Sequence, residues 1–418
     1  MSNVQTSALS NGLRVVTAEM PFFASVSVGV WVGTGARAEE AAINGAAHYL
    51  EHMAFKGTTS RTARDIALEV ENVGGYFNAY TARENTAYFL KVLKDNLPLA
   101  VDILSDILQN PIFDPEELER ERGVIQQEIG QSLDTPDDII YDYFQETAYP
   151  DQAMGRPILG TSHTVQQMSR DNLINFMDAR YRPRNMVLVA AGAVSHAELL
   201  KLAEDHFGNQ QDAATPIIEN INYQGGDFRD DKESEQVHFK LGFNGVAYGS
   251  EDQFPATILS TLLGGGSSSR LFEEIREKRG LVYSVYSYSE SFIDGGLFGI
   301  YAGTGAQEIS ELIPVLCDSL NDCRHSINAD ELERAKTQLK ATILMGMESC
   351  DARANQLGTQ LLTYNRFWTM EELSRKIEAV SIEEVQQVAA KIFSTTPTLA
   401  AIGPLSNLES YDQIRGRL

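Results

Sequence analysis

The chain has 418 residues, with 58 Asp and Glu against 34 Lys and Arg, a net charge of −24, and 43% hydrophobic residues. That length allows two or more domains and the composition is that of a soluble globular protein, while the acidic balance argues against nucleic acid as a partner, because phosphate binding relies on basic patches. No run of about 18 apolar residues marks a transmembrane helix, and the N-terminus has neither a signal-peptide nor a transit-peptide pattern, so a cytoplasmic address is expected.

Asn11-Gly12 reads as a hairpin turn ahead of a strand at residues 13–18. Residues 25–32 alternate strictly, placing Val26, Val28, Val30 and Val32 on one face of a half-buried strand. Gly33 to Ala38 breaks that strand and leads into residues 45–55, whose Ala, Leu, Met and Phe, without Pro or a β-branched run, favour a helix. Inside it lies His48-Tyr49-Leu50-Glu51-His52. Positions i and i+4 of a helix sit about 40° apart and one turn up, so the two histidines point the same way and Glu51 falls within an arc of roughly 100°. Two imidazoles on one face suit Zn²⁺, and a carboxylate beside them can take a proton from water held on the metal. The order H-x-x-E-H is the inverted form of the zinc-protease motif H-E-x-x-H. The ordinary alternative is a buried helix with two hydrogen-bonded histidines and an exposed Glu.

Residues 62–73 predict a second amphipathic helix ending at Gly74-Gly75. Strands follow at 76–81 and 85–91, then helices at 96–108 and from Pro115 to about Gln131, with Asp114 as N-cap. On that last helix Leu118, Glu121, Ile125 and Glu128 share one face by their i, i+3, i+7, i+10 spacing. Buried carboxylates need partners or a metal. One reading puts both glutamates in salt bridges at a polar boundary. The other makes Glu128 the third metal ligand with Glu121 behind it, giving the two-His, one-carboxylate set with an open fourth position that marks a catalytic zinc. Further on, helices are expected at 136–150 and 169–181, a buried strand at 185–192, and a helix from Ser195 to about Phe207. Strands and helices without strict βαβ alternation indicate α+β. Residues 213–234, with Pro216, Gly225, Gly226 and a charged run, read as a linker between a domain at 1–212 and one at 235–418.

The second half echoes the first. Pro115-Glu116-Glu117-Leu118-Glu119-Arg120 returns as Ala329-Asp330-Glu331-Leu332-Glu333-Arg334, 214 residues later. The strand at 185–192 followed by Ser195 is echoed by 398–403 followed by Ser406, and the helix at 169–181 by 381–393. At the same offset Glu121 becomes Ala335 and Glu128 becomes Thr342, and residues 258–266 stand where the histidine motif should recur. All candidate ligands leave the second copy together, which argues that they form one site. Cys317, Cys323 and Cys350, odd in number and without C-x-x-C spacing, fit neither a disulfide framework nor a structural zinc site.

With these pieces the chain resembles the M16 zinc metallopeptidases, the inverzincin group, and within it the β subunits of mitochondrial processing peptidases and short bacterial M16B relatives. The family's H-x-x-E-H is followed by a Glu 76 residues on, and His52 plus 76 is Glu128; the auxiliary Glu seven residues earlier is Glu121. The resemblance implies two homologous α/β-sandwich domains in tandem, of the LuxS/M16-like metallopeptidase type, facing each other across a cleft. It implies a zinc endopeptidase in which His48, His52 and Glu128 hold Zn²⁺ and Glu51 is the general base. Gly74-Gly75-Tyr76-Phe77-Asn78-Ala79-Tyr80-Thr81 looks like the family's edge strand, so Phe77, Asn78, Ala79 and Tyr80 are expected to take substrate by strand addition. Arg276 and Tyr283 have the spacing of an Arg and Tyr that reach the metal site in active members. Gly264-Gly265-Gly266 resembles the glycine-rich loop of non-catalytic processing-peptidase subunits, either a mobile substrate contact or a turn before a helix at 270–278. The partners expected are a peptide substrate, basic by charge complementarity, and a second copy of the chain, with a heterodimer as the alternative. A mature mitochondrial matrix form ranks behind the cytoplasmic address. The rival function is a non-catalytic scaffold like the core subunits of the respiratory bc1 complex.

Overall fold

The strand Met186–Gly192 is apolar along its length, which suits only a strand covered on both faces. Met186, Leu188 and Ala190 join one hydrophobic core, and Val187, Val189 and Ala191 join another. The computed structural model describes residues 3–418 and places this strand in a six-stranded sheet. Its members are β1 (Asn3–Ala8), β2 (Arg14–Glu19), β3 (Ser25–Val32), β4 (Tyr76–Thr81), β5 (Thr86–Leu93) and β6 (Met186–Gly192), in the order β1-β2-β6-β3-β5-β4. The strict alternation of β3 sends Val26, Val28, Val30 and Val32 into the first core and Trp31 into the second. Helices Ala46–Ala54, Leu97–Gln109, Pro115–Leu133 and His196–Phe207 supply much of the first core.

A five-stranded sheet is built from β7 (Gly226–Asp231), β8 (Val237–Asn244), β9 (Val282–Ser291), β10 (Gly296–Thr304) and β11 (Thr398–Gly403), ordered β7-β11-β8-β10-β9. It repeats the first sheet without β1: β2 pairs parallel with β6 as β7 does with β11, and the remaining neighbours are antiparallel in both. The duplication read from the sequence is therefore a duplication of α+β topology.

The compact units are not the contiguous halves 1–212 and 235–418. One comprises the chain up to Gln131, with Arg156–Glu219 and Met345–Phe367; the other comprises Ser132–Gly155, Asn220–Leu344 and Trp368–Leu418. The exchange has a packing cause. Helix Pro136–Ala148 covers the outer face of the second sheet with Ile139, Ile140 and Phe144 against Leu297, Tyr301, Ala400 and Ile402. Helix Cys350–Tyr364 does the same for the first sheet with Ala354, Leu357 and Leu361. Each sheet thus buries its second face under a helix taken from the other half of the chain. The segment 213–234 is not a free linker either: Gly225 and Gly226, with φ of 75° and 151°, turn the chain into β7, whose Phe228 packs on the second sheet's outer core. Charges at Asp227, Arg229 and Asp230 are tolerated there because β7 is an edge strand. Within 270–278 the helix is a π-helical turn at Phe272–Glu277, and Ser410 caps the last helix, Tyr411–Arg417. A short helix at Ser162–Gln167 lies in a stretch the sequence left without one.

Gly358 shows how tightly the exchanged helix sits. A Cβ there would lie 2.4 Å from the ring of Trp31, which is itself buried and donates from Nε1 to Asn355 Oδ1 at 3.0 Å. Helix propensity alone favours Gly358→Ala by about 1 kcal/mol. Overpacking against a ring that cannot retreat opposes it, and the expected result is a net loss of about 1–3 kcal/mol, read as a lower Tm. A Tm equal to or above wild type would show that the helix has room to lift.

Candidate metal centre

The motif helix Ala46–Ala54 starts at Gly45, whose φ of 96° admits glycine readily and whose missing side chain leaves the first turn uncapped from within. Glu39 supplies the cap from a distance. Its Oε2 accepts from Gly45 N at 2.8 Å and Asn44 Nδ2 at 2.9 Å, and its Oε1 from Ala47 N at 2.8 Å. Burial pushes the Glu39 carboxyl up to about 7, against the pull of these hydrogen bonds and of Arg156. At the other helix the cap is Asp114, whose Oδ1 accepts from Glu116 N and Glu117 N. The two helices are tied directly: Tyr49 Oη donates to Leu118 O at 2.5 Å, and the Arg122 guanidinium lies 5.7 Å from the Tyr49 ring centre.

This register brings His48, His52 and Glu128 together, with one donor atom of each within 4.8 Å of the others. Glu128 Oε2 is 3.7 Å from His48 Nε2 and 3.5 Å from His52 Nε2. A tetrahedral ion with bonds of about 2.0–2.1 Å needs donors about 3.3 Å apart, so the set fits a zinc-sized metal with little rearrangement. Two further observations fit a metal site. Glu128 Oε2 is buried and makes no hydrogen bond, and burial with the neighbouring His52 pushes His48 down to about 4, keeping its imidazole neutral. Behind His52, Nδ1 lies 2.9 Å from Glu121 Oε2, and Glu121 Oε1 lies 2.6 Å from Lys56 Nζ.

Glu51 is on the same helix but outside the donor group. Burial raises its carboxyl above the usual range, while a 2.6 Å hydrogen bond from Thr81 Oγ1 and the nearby His52 hold it back. Thr81 ends β4, the edge strand of the first sheet, which among the described residues pairs only with β5. Glu51 is therefore held by the strand expected to receive substrate. On that strand Asn78 is exposed with its Oδ1 accepting from Ala79 N at 2.9 Å, Phe77 stacks on Phe55 of the motif helix's end at 4.6 Å, and Tyr80 Oη donates to Asn355.

The remaining expected site residues belong to the second unit. Tyr283 is 66% exposed on β9, and Arg276 is exposed in the π-helical turn with its guanidinium 4.7 Å from the Phe272 ring centre. Gly264 ends the helix Gln253–Gly264, where a Cβ would come within 2.3 Å of Ser287 N; at Gly265 it would meet Thr261 O at 2.7 Å. These two glycines are required by close packing, and none of the three has a positive φ; at Gly266 a Cβ would make only ordinary contact, with Gln338 Nε2 at 3.7 Å. Glu39 and Lys56 escaped the sequence reading, as did the contact of Thr81 with Glu51. Lys56 had a signal, continuing the i, i+4 series from His48 and His52; Glu39 had none, because a distant cap leaves no local pattern.

Residues 14–162 match the family described as Insulinase (Peptidase family M16), and residues 167–339 match the Peptidase M16 inactive domain. A Rickettsia felis protein named an uncharacterized zinc protease is 39% identical over 96% of this chain and 98% of its own. The Bacillus subtilis uncharacterized zinc protease YmxG is 37% identical, with coverage of 96% and 98%. Among solved structures, a protease from Helicobacter pylori superposes with a TM-score of 0.89 at 24% identity, covering 97% of this chain and all of that one. Complex III2 from Candida albicans contains a chain with the same TM-score, 0.89, at 19% identity and 99% coverage of each. Both likenesses are of fold.

Proposed function

The chain belongs to peptidase family M16, and from that premise we propose that it is a zinc-dependent endopeptidase acting on peptides or unfolded segments. His48, His52 and Glu128 are its metal ligands and Glu51 its general base. The observation that carries the reading is the convergence of three donor atoms within 4.8 Å, beside the half-buried carboxylate of Glu51 that is not one of them. Bound there, Zn²⁺ would supply the Lewis acid that polarises the scissile carbonyl and acidifies the attacking water. Glu51 accepts the proton of that water and returns it to the leaving amine. The Thr81 hydroxyl keeps the Glu51 carboxylate aimed, and Glu121 keeps His52 turned with Nε2 toward Glu128.

Substrate joins β4 as an added strand along Phe77 to Tyr80, displacing the Asn78 side chain from the Ala79 amide. Tyr283, with Arg276, steadies the tetrahedral intermediate, a role suited to phenol and guanidinium donors. Of the glycine run, Gly266 is the member offered for a substrate contact, since Gly264 and Gly265 are taken up by close packing. The net charge of −24 favours basic peptides, and the working assembly is a homodimer, tested by whether purified protein elutes as an active dimer or gains activity only from a second chain. The scaffold alternative gives no reason to keep a complete donor set.

Stripping metal with a chelator is expected to abolish cleavage of a basic peptide, and stoichiometric Zn²⁺ to restore it. Cleavage that persists in metal-free protein would end the metallopeptidase reading.

A further inference from the structure

Lys56 has no place in the chemistry above, yet its amine is held against the site. It lies just beyond the C-terminal end of the motif helix, four residues after His52, with its backbone N–H bonded to Met53 O. Its Nζ is 2.6 Å from Glu121 Oε1, and the other oxygen of the same carboxylate is 2.9 Å from His52 Nδ1. Glu121 is only 5% exposed, whereas Lys56 keeps about a third of its side chain in solvent, 31%. We propose that Lys56 is a positioning residue for the metal centre, fixing His52 through Glu121. The proposal rests on the reading of His52 as a metal ligand.

The physical reason lies in the two oxygens of one carboxylate. A buried carboxylate with a donor at only one oxygen rotates or shifts to satisfy the other, because an unpaired buried charge is costly. With Nζ at Oε1, the plane of the Glu121 carboxylate is pinned from both sides, and Oε2 stays in line with Nδ1. That fixes the His52 ring, whose Nε2 then faces Glu128 Oε2 at 3.5 Å. The motif helix thereby carries a ligand, and the residue just past its end anchors that ligand's own orienting group. Lysine suits the position because its flexible stem reaches from past the helix end, where a cation also complements the helix dipole.

Two physical effects of the Lys56 charge oppose each other, which makes the proposal decidable. A cation near a cation site repels it, so loss of the charge by field alone would tighten metal binding. Loss of the pin loosens His52 and weakens binding. Outer partners of metal ligands commonly contribute 10–100-fold in affinity, and Lys56, one step further out, is expected at about 10-fold.

The test is equilibrium titration of the metal-free full-length protein with Zn²⁺ against a chromophoric chelator, for wild type, Lys56→Met, Lys56→Arg, Glu121→Gln and the Glu121→Gln/Lys56→Met double variant. The expected results are about 10-fold weaker binding for Lys56→Met, recovery of most of that loss in Lys56→Arg, and no further loss from Lys56→Met once Glu121 is Gln. Unchanged or tighter binding in Lys56→Met, with wild type binding normally, would overturn the role of Lys56 alone. Additive losses in the double variant would overturn its action through Glu121. A wild type that binds no Zn²⁺ would remove the ligand assignment itself, and this proposal with it.

Discussion

Glu51→Gln protein is expected to bind Zn²⁺ as wild type does and to lose turnover by about 10²–10⁴-fold, the usual contribution of a positioned general base. The geometry separates the two properties. Glu51 shares the helix with His48 and His52 but stands outside the group of donor atoms that lie within 4.8 Å of one another. The amide of Gln has the size of the carboxylate and keeps an oxygen to accept the 2.6 Å hydrogen bond from Thr81, so the substitution removes the basic site and little else. Burial already raises the Glu51 carboxyl above its ordinary range, against the pull of the Thr81 hydrogen bond and of His52. The measurements are zinc per chain and kcat on one basic peptide. Full activity would remove Glu51 from the chemistry. Loss of zinc would instead make it a ligand.

The donor set could be reached from sequence because each part leaves a one-dimensional trace. The spacing of His48 and His52 sets their shared direction once the segment is helical, and the face shared by Leu118, Glu121, Ile125 and Glu128 is a property of one helix. In the structure Leu118, Glu121 and Ile125 are buried on that face as the periodicity predicts. The distance between the two helices was another matter. It depended on family spacing, and the structure replaces that with a contact, Tyr49 Oη to Leu118 O.

The exchange of helices between units was not legible. The residues of Pro136–Ala148 are amphipathic whichever sheet they cover, and periodicity specifies a face without naming its partner. The same is true of β7, where two glycines and a run of charges imitate a linker because an edge strand needs few apolar residues. Sequence position is a poor guide to domain membership where each sheet needs cover on two faces and the local helices suffice for one.

Glu128→Gln is expected to separate from Glu51→Gln in the opposite sense, losing the metal first. Outer partners of metal ligands commonly contribute about 10–100-fold in affinity, so losing one charged ligand of three is expected to weaken binding about 100-fold or more. The substitution keeps the side chain's shape and removes the charge that faces both imidazoles, at 3.7 Å and 3.5 Å. Its effect should exceed that of Glu121→Gln, although the two residues are one helical face and seven positions apart. Glu121 touches the metal site only through His52 Nδ1, so its loss leaves all three donors present and costs orientation, about 10–100-fold. Glu128 is itself a donor, and its Oε2, buried without a hydrogen bond, has no other partner to justify the position. Wild-type affinity in Glu128→Gln would exclude it as a ligand and leave the two histidines without a third. An affinity order of Glu51→Gln, then Glu121→Gln, then Glu128→Gln, from strongest to weakest binding, would assign base, orienting group and ligand to three glutamates in a single titration series.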